Sequence, residues 1–261
     1  MTNPPEPPSL DTIRAGLTNG EFFLEYMPTV SLRDGKCVGA EALTRWRRPS
    51  GLVQPAEFIP LIEGTRLSGT LTYWVMETVA RELGDWLRLH ADAHIGVNVP
   101  PELLGRGGLD YVAEKTGLTD IRNQIIVEVT ERGIPDALGA ATLEAASKAG
   151  IRVALDDVTL TGTNLAVLSH LAFDLIKTDW SLVHQITSEC PRPAWLAGLS
   201  ALLHATPLTV ICEGVETATQ AQVLHEAGIP LAQGYYFSRP ISAADLMAFY
   251  SRAASGVPPG E

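Results

Sequence analysis

Short apolar runs alternate along the chain with segments of helical period. Eight such runs stand out: Phe22 to Met27, Val38 to Leu43, His94 to Val99, Gln124 to Val129, Arg152 to Leu155, Leu175 to Lys177, Leu208 to Cys212 and Leu231 to Tyr236. Each has the length and bounding residues of a buried strand. Between them, apolar residues return every three or four positions. Leu71, Val75, Val79, Leu83 and Trp86 make one face of a helix, with Glu82 and Arg88 off that face. Lys148-Ala149-Gly150-Ile151 and Glu226-Ala227-Gly228-Ile229 each read as a helix end, a left-handed glycine at C′ and the first apolar residue of the next strand. Eight strands alternating with helices predict an α/β fold, a parallel sheet closed into a TIM-like (β/α)8 barrel.

Composition narrows the setting. The 261 residues suffice for one barrel with a large core. Residues 1–14, proline-rich to Pro8, and residues 253–261 are expected to be flexible, which leaves 15–252 as a single barrel domain. With 30 acids against 19 Lys and Arg, a net charge of -11 and no basic cluster, a nucleic-acid polymer is excluded as partner. No apolar stretch approaches the roughly 18 residues of a membrane span, and Met1 to Pro8 lacks the features of a signal peptide. Absence of membrane insertion and a cytoplasmic location are the corresponding expectations. Cys37, Cys190 and Cys212 form no CxxC pair and are expected to be buried small hydrophobes. The six histidines never fall at HxH or HExxH spacing, so any metal is expected to be held by oxygens.

In a barrel of this kind, chemistry sits at the C-terminal ends of the strands. Those positions carry Glu41, Asn98, Glu128, Asp156 with Asp157, Lys177, Glu213 and Gln233. A single acid at a strand end is ordinarily a solvated cap or an ion-pair partner. Seven strand ends so decorated are harder to dismiss. Five carboxylates converging on one mouth repel one another, and Mg²⁺ or Mn²⁺ with oxygen ligands resolves the repulsion. Asp156 and Asp157 point opposite ways along a strand, so both reach one site only if the loop begins between them. Lys177 has two readings: an ion pair with Asp179 or a neighbouring acid, or a cation that orients or deprotonates an attacking water. Arg45 is either a surface arginine or a clamp for a phosphate. Two oxygen-bound ions in a barrel mouth commonly serve phosphoester hydrolysis.

These residues fall in a recognisable order. Glu41-Ala42-Leu43 within Val38 to Trp46, Pro55-Ala56-Glu57-Phe58-Ile59-Pro60, Glu128-Val129-Thr130-Glu131, Asp156-Asp157, Ile176-Lys177-Thr178-Asp179, Glu213-Gly214-Val215-Glu216-Thr217 and Gln233 to Pro240 together resemble the EAL-type cyclic-di-GMP phosphodiesterases. The resemblance runs from about Leu17 to Tyr250. It implies a first strand antiparallel to the rest, hydrolysis of cyclic di-GMP to linear pGpG with two Mg²⁺ or Mn²⁺ ions, and a homodimer. By motif position, Glu41, Asn98, Glu128, Asp156, Asp157 and Glu213 are implied as metal ligands. Lys177 is implied to serve the nucleophilic water, Gln233 to support the water or metal shell, Arg45 to contact substrate phosphate, and Glu131 to brace the loop after Asp157.

Two stretches depart from the pattern. The family continues from the two acids as Phe-Gly-Thr-Gly-Tyr-Ser-Ser, whereas this chain has Val158-Thr159-Leu160-Thr161-Gly162-Thr163-Asn164, with β-branched threonines at two glycine positions. Met27 stands where the family usually has glutamine. The altered loop 158–164 makes reduced activity, or a receptor that binds cyclic di-GMP without turnover, the alternative. A protein-interaction domain that has abandoned the nucleotide is disfavoured, because it would have no use for mutually repelling acids. No sensory or cyclase domain fits in the chain, so control is expected from dimerisation, from a regulatory protein partner or from a larger protein of which this is a piece.

Overall fold

The computed structural model describes residues 7–100, 103, 108–130, 137–148, 150–160 and 173–254. It begins with helix α1 (Leu10–Thr18), whose Ser9 N-cap and Thr12 form a reciprocal capping box. The expected boundary between head and barrel at 14/15 falls inside this helix. A long hairpin follows, β1 (Phe22–Ser31) against β2 (Cys37–Arg48), with β3 (Gly51–Val53) added antiparallel to the end of β2. Then come α2 (Pro55–Ile62), α3 (Arg66–Leu89), β4 (His94–Asn98), α4 (Gly108–Thr116), β5 (Ile125–Thr130), α5 (Ala137–Lys148), β6 (Arg152–Val158) and β7 (Leu175–Thr178). The chain closes with α6 (Trp180–Val183), α7 (Ala194–Ala205), β8 (Thr209–Cys212), α8 (Ala218–Glu226), β9 (Leu231–Ala232) and α9 (Ala243–Ala254).

Strands β2, β4, β5, β6, β7, β8 and β9 are parallel neighbours in that order. β1 closes the circle, pairing antiparallel with β2 on one side and with β9 on the other, so the barrel has eight strands with the first reversed. All eight runs of the sequence pattern lie on these strands, although the last is cut short: β9 ends at Ala232, and Gln233 already belongs to the following turn. The β3 strand has no counterpart in that pattern.

The helical spacing holds. Val75, Val79, Leu83 and Trp86 of α3 are buried in the main core cluster and Leu71 in a second one with Phe22 and Trp46, and each such aliphatic side chain contributes about 1.5–3 kcal/mol. Glu82, off that face, accepts a hydrogen bond from Tyr26 Oη at 2.8 Å. Gly228 closes α8 at φ 81°; its N–H donates to His225 O and that of Ile229 to Leu224 O, the paired bonds of a Schellman turn. Cys37 and Cys212 are buried as expected, but Cys190 is exposed: it lies in the loop before α7 rather than on a strand. Among the described residues no helix is long and apolar enough to cross a membrane.

Inside the barrel, side chains are layered. Ile126, Ala154, Leu175 and Ile211 form one buried cluster, with Leu231 packed on it. Two positions further along the chain stand Glu128, Asp156 and Lys177, on the same face of their strands, and Glu213 and Gln233, each one residue past its strand end. An apolar plug thus carries a polar ring directly on its C-terminal side.

Candidate active site

The ring is built by register. Glu41 of β2 pairs with Gly96 of β4, and Asn98, two residues on, pairs with Glu128 of β5. Gly96 has a steric duty here, since a Cβ at that position would overlap the carboxylate of Glu128.

Lys177 occupies the centre and is fully buried. Its Nζ donates to Glu41 Oε2 at 2.8 Å and to Glu128 Oε2 at 2.9 Å. It lies 3.4 Å from Asp156 Oδ1 and 2.7 Å from Glu213 Oε1. The last contact is the shortest of the four, a close ion pair that pulls the Glu213 carboxyl down. An ammonium has three protons, so it cannot satisfy four carboxylates. Asp179 is not its partner; that carboxylate accepts from Ser181 N–H at 2.8 Å and caps α6.

Electrostatics follow from this excess of acid. Burial lifts the Glu128 carboxyl well above its ordinary range; Lys177 pulls it back, and Glu41 and Asp156 push it further up. Burial likewise raises Asp156 to about 6 and Glu213 to about 8, against the pull of Lys177. Burial alone would depress Lys177, but Asp156, Glu128, Glu213 and Glu41 outweigh it and hold the amine well above the usual lysine value. The acids are raised first by burial and then by one another, and the lysine is raised by the acids, so the cluster holds more buried acid than its one cation offsets. Divalent ions are a remedy, and the donor set suits them. Oxygens of Glu41, Glu128 and Asp156 lie within 4.8 Å of one another, and the set is entirely hard oxygen.

The remaining expected residues are placed as follows. Asn98 is exposed at the mouth, and its Nδ2 donates to Glu41 Oε1 at 2.7 Å. Asp157 adopts φ 59°, and the β6 to β7 register breaks between Leu155 and Val158. The strand bulges at Asp157, an exposed residue, and β6 runs on to Val158, so the loop does not begin between the two acids. Gln233 is buried and donates from Nε2 to Thr29 Oγ1 at 2.8 Å. Arg45, on the face of β2 that carries Glu41, donates from Nε to Glu25 Oε2 at 2.7 Å and from Nη1 to Thr44 O. Sequence reasoning missed Glu25, Thr29 and Gly96; the alternation of β1 and β4 was the available signal. Glu131 and residues 161–164 of the altered loop lie outside the described residues. Within 158–160, the left-handed conformation falls on Leu160 (φ 57°) and not on Thr159. A cavity of about 400 Å³ lined by Val30, Leu32, His225 and Phe237 includes none of the ring residues.

Comparison with known proteins agrees with this geometry. The profile described as the EAL domain matches residues 10–240, and the chain belongs to that family. A protein of Mycobacterium tuberculosis without an assigned function is 34% identical over 236 residues, 88% of this chain and 38% of the relative. The bifunctional diguanylate cyclase/cyclic di-GMP phosphodiesterase MucR of Pseudomonas aeruginosa is 31% identical over 245 residues, 92% of this chain and 36% of the relative. A solved structure described as the PaMucR phosphodiesterase in complex with c-di-GMP superposes with a TM-score of 0.81 at 30% identity, covering 91% of this chain and 98% of that one. The chain spans less than half the length of the curated relatives it matches.

Proposed function

We propose that this domain is a phosphodiesterase that hydrolyses cyclic di-GMP to linear pGpG with Mg²⁺ or Mn²⁺. The observation that carries the proposal is the ring of Glu41, Glu128, Asp156 and Glu213 around Lys177 at the strand ends of an EAL domain. Glu41, Asn98, Glu128, Asp156, Asp157 and Glu213 would hold two ions. Bound there, the ions would supply charge neutralisation toward the diester and an acidified water.

The chain's own groups do the rest. Lys177, at the centre of the four acids, would serve the nucleophilic water, orienting it or a phosphate oxygen. Gln233, with Nε2 engaged by Thr29, retains Oε1 as an acceptor for a water proton. Arg45, fixed through Nε and Nη1, offers Nη2 to a substrate phosphate. Glu131 would brace the loop after Asp157. The same proposal includes a cytoplasmic homodimer controlled by a regulatory protein partner.

Turnover in ¹⁸O-labelled water with Mn²⁺ tests the reaction. The expected product is pGpG with a single label on its terminal phosphate; intact cyclic di-GMP at stoichiometric enzyme overturns catalysis. The receptor reading has one observation of its own: Met27, which cannot hydrogen-bond a ligand as glutamine would, stands directly opposite Glu41 in the β1/β2 register. That reading predicts calorimetric binding of cyclic di-GMP with Ca²⁺ and no product with Mn²⁺.

A further inference from the structure

Trp180 differs from the other four tryptophans of the chain. Its surface is 56% exposed, whereas Trp46 and Trp86 are buried and Trp74 and Trp195 half-buried. It is also the third residue after Lys177, which places its Cα within about 11 Å of the lysine Cα. Exposure does not mean slack. The Cα and Cβ of Trp180 pack so tightly on Gly214, the neighbour of Glu213, that a Cβ there would collide with them. The indole meets His184 in a T-shaped contact, with centroids 4.9 Å apart and planes at 79°, and His184 Nε2 lies 3.7 Å from Glu216 Oε2. Asp179 caps the turn beneath. Trp180 is thus anchored to the two strand ends that supply Lys177 and Glu213, with more than half its surface in water.

A rigid aromatic held beside a phosphodiester site suits one task, the stacking of a nucleobase. Two exposed tyrosines follow β9: Tyr235 already carries the Arg239 guanidinium on one face at 4.6 Å, and Tyr236 is engaged edge-on by Phe237 with centroids 5.1 Å apart. We propose that Trp180 is the stacking platform for one guanine of the cyclic dinucleotide, and that it sets the diester over the Lys177 ring. The proposal rests on the cyclic di-GMP reading above.

Equilibrium titration of wild type, Trp180→Phe and Trp180→Ala with cyclic di-GMP in Ca²⁺ tests it, read by calorimetry and by indole fluorescence. Wild type is expected to bind with quenched emission. Trp180→Phe keeps the affinity and loses the quench. Trp180→Ala binds about 5- to 100-fold more weakly, while all three melt and sediment alike. Unchanged affinity in Trp180→Ala, or a quench retained in Trp180→Phe, overturns the stacking role alone. So does unchanged affinity with altered sedimentation, which would make the tryptophan a protein contact. Failure of wild type to bind overturns both this role and the reading it rests on.

Discussion

Gly96 and Glu128 share one space at the barrel mouth: a methyl group on Gly96 would overlap the carboxylate that Lys177 holds. The two residues lie on adjacent strands, β4 and β5. Gly96→Ala is therefore expected to displace Glu128 from the ring and weaken divalent metal binding. Its cost in stability should be that of overpacking, about 1–3 kcal/mol. Isothermal titration with Mn²⁺ beside urea unfolding checks it; native metal affinity in the variant would show that Glu128 is not a ligand.

Lys177→Met removes the cation and leaves the carboxylates. Breaking a buried ion pair on one side costs about 3–5 kcal/mol, so the metal-free variant should unfold at markedly lower urea than wild type. Mn²⁺ should recover part of that loss, because it replaces the missing charge. Pairing only with solvent would give the opposite result, a variant as stable as wild type without metal.

The raised acids fix the sign of a pH effect. Asp156 and Glu213 have folded values of about 6 and about 8, above their ordinary carboxyl values of 3.8 and 4.5. The folded state binds these protons more tightly than the unfolded chain, so their contribution to stability is complete below the ordinary values. It is lost as pH rises through 6 and 8. Protons and metal ions compete for the same oxygens. The increase in melting temperature caused by Mn²⁺ should therefore be larger at alkaline than at mildly acidic pH.

His94 acts in the opposite sense. It is buried on β4 below the ring, its Nε2 has no hydrogen-bond partner among the described residues, and burial, with Arg152 nearby, depresses it to about 3. Its contribution is present above the ordinary value of 6.5 and is lost as pH falls toward 3. In urea unfolding from neutral to acid pH, His94→Gln should lose less stability than wild type over that interval.

Much of the fold and of the ring is legible in the amino-acid sequence. The eight apolar runs identify the barrel strands because strands such as β4, β7 and β8 are buried on both faces and read as continuous apolar runs, while β1 alternates. The ring was legible as well, because a charge closing such a run has nowhere to go but the mouth. What failed was local in origin. Asp179 looked like a partner of Lys177 from its nearness in sequence, yet it caps α6, and the true partners come from four other strand ends. The antiparallel course of β1 came only from the family resemblance, since polarity pattern is blind to strand direction. Gly96 and Trp180 matter through what they touch across strands, and one sequence does not display such contacts.

The central claim is that the acids around Lys177 form a divalent metal centre. Anomalous diffraction at the manganese edge, from crystals grown with Mn²⁺, tests it most directly. The account predicts peaks at coordination distance from oxygens of Glu41, Glu128 and Asp156, with Asn98, Asp157 and Glu213 completing the shells. A fully occupied ion elsewhere, with Lys177 still filling an ion-free ring, would contradict it.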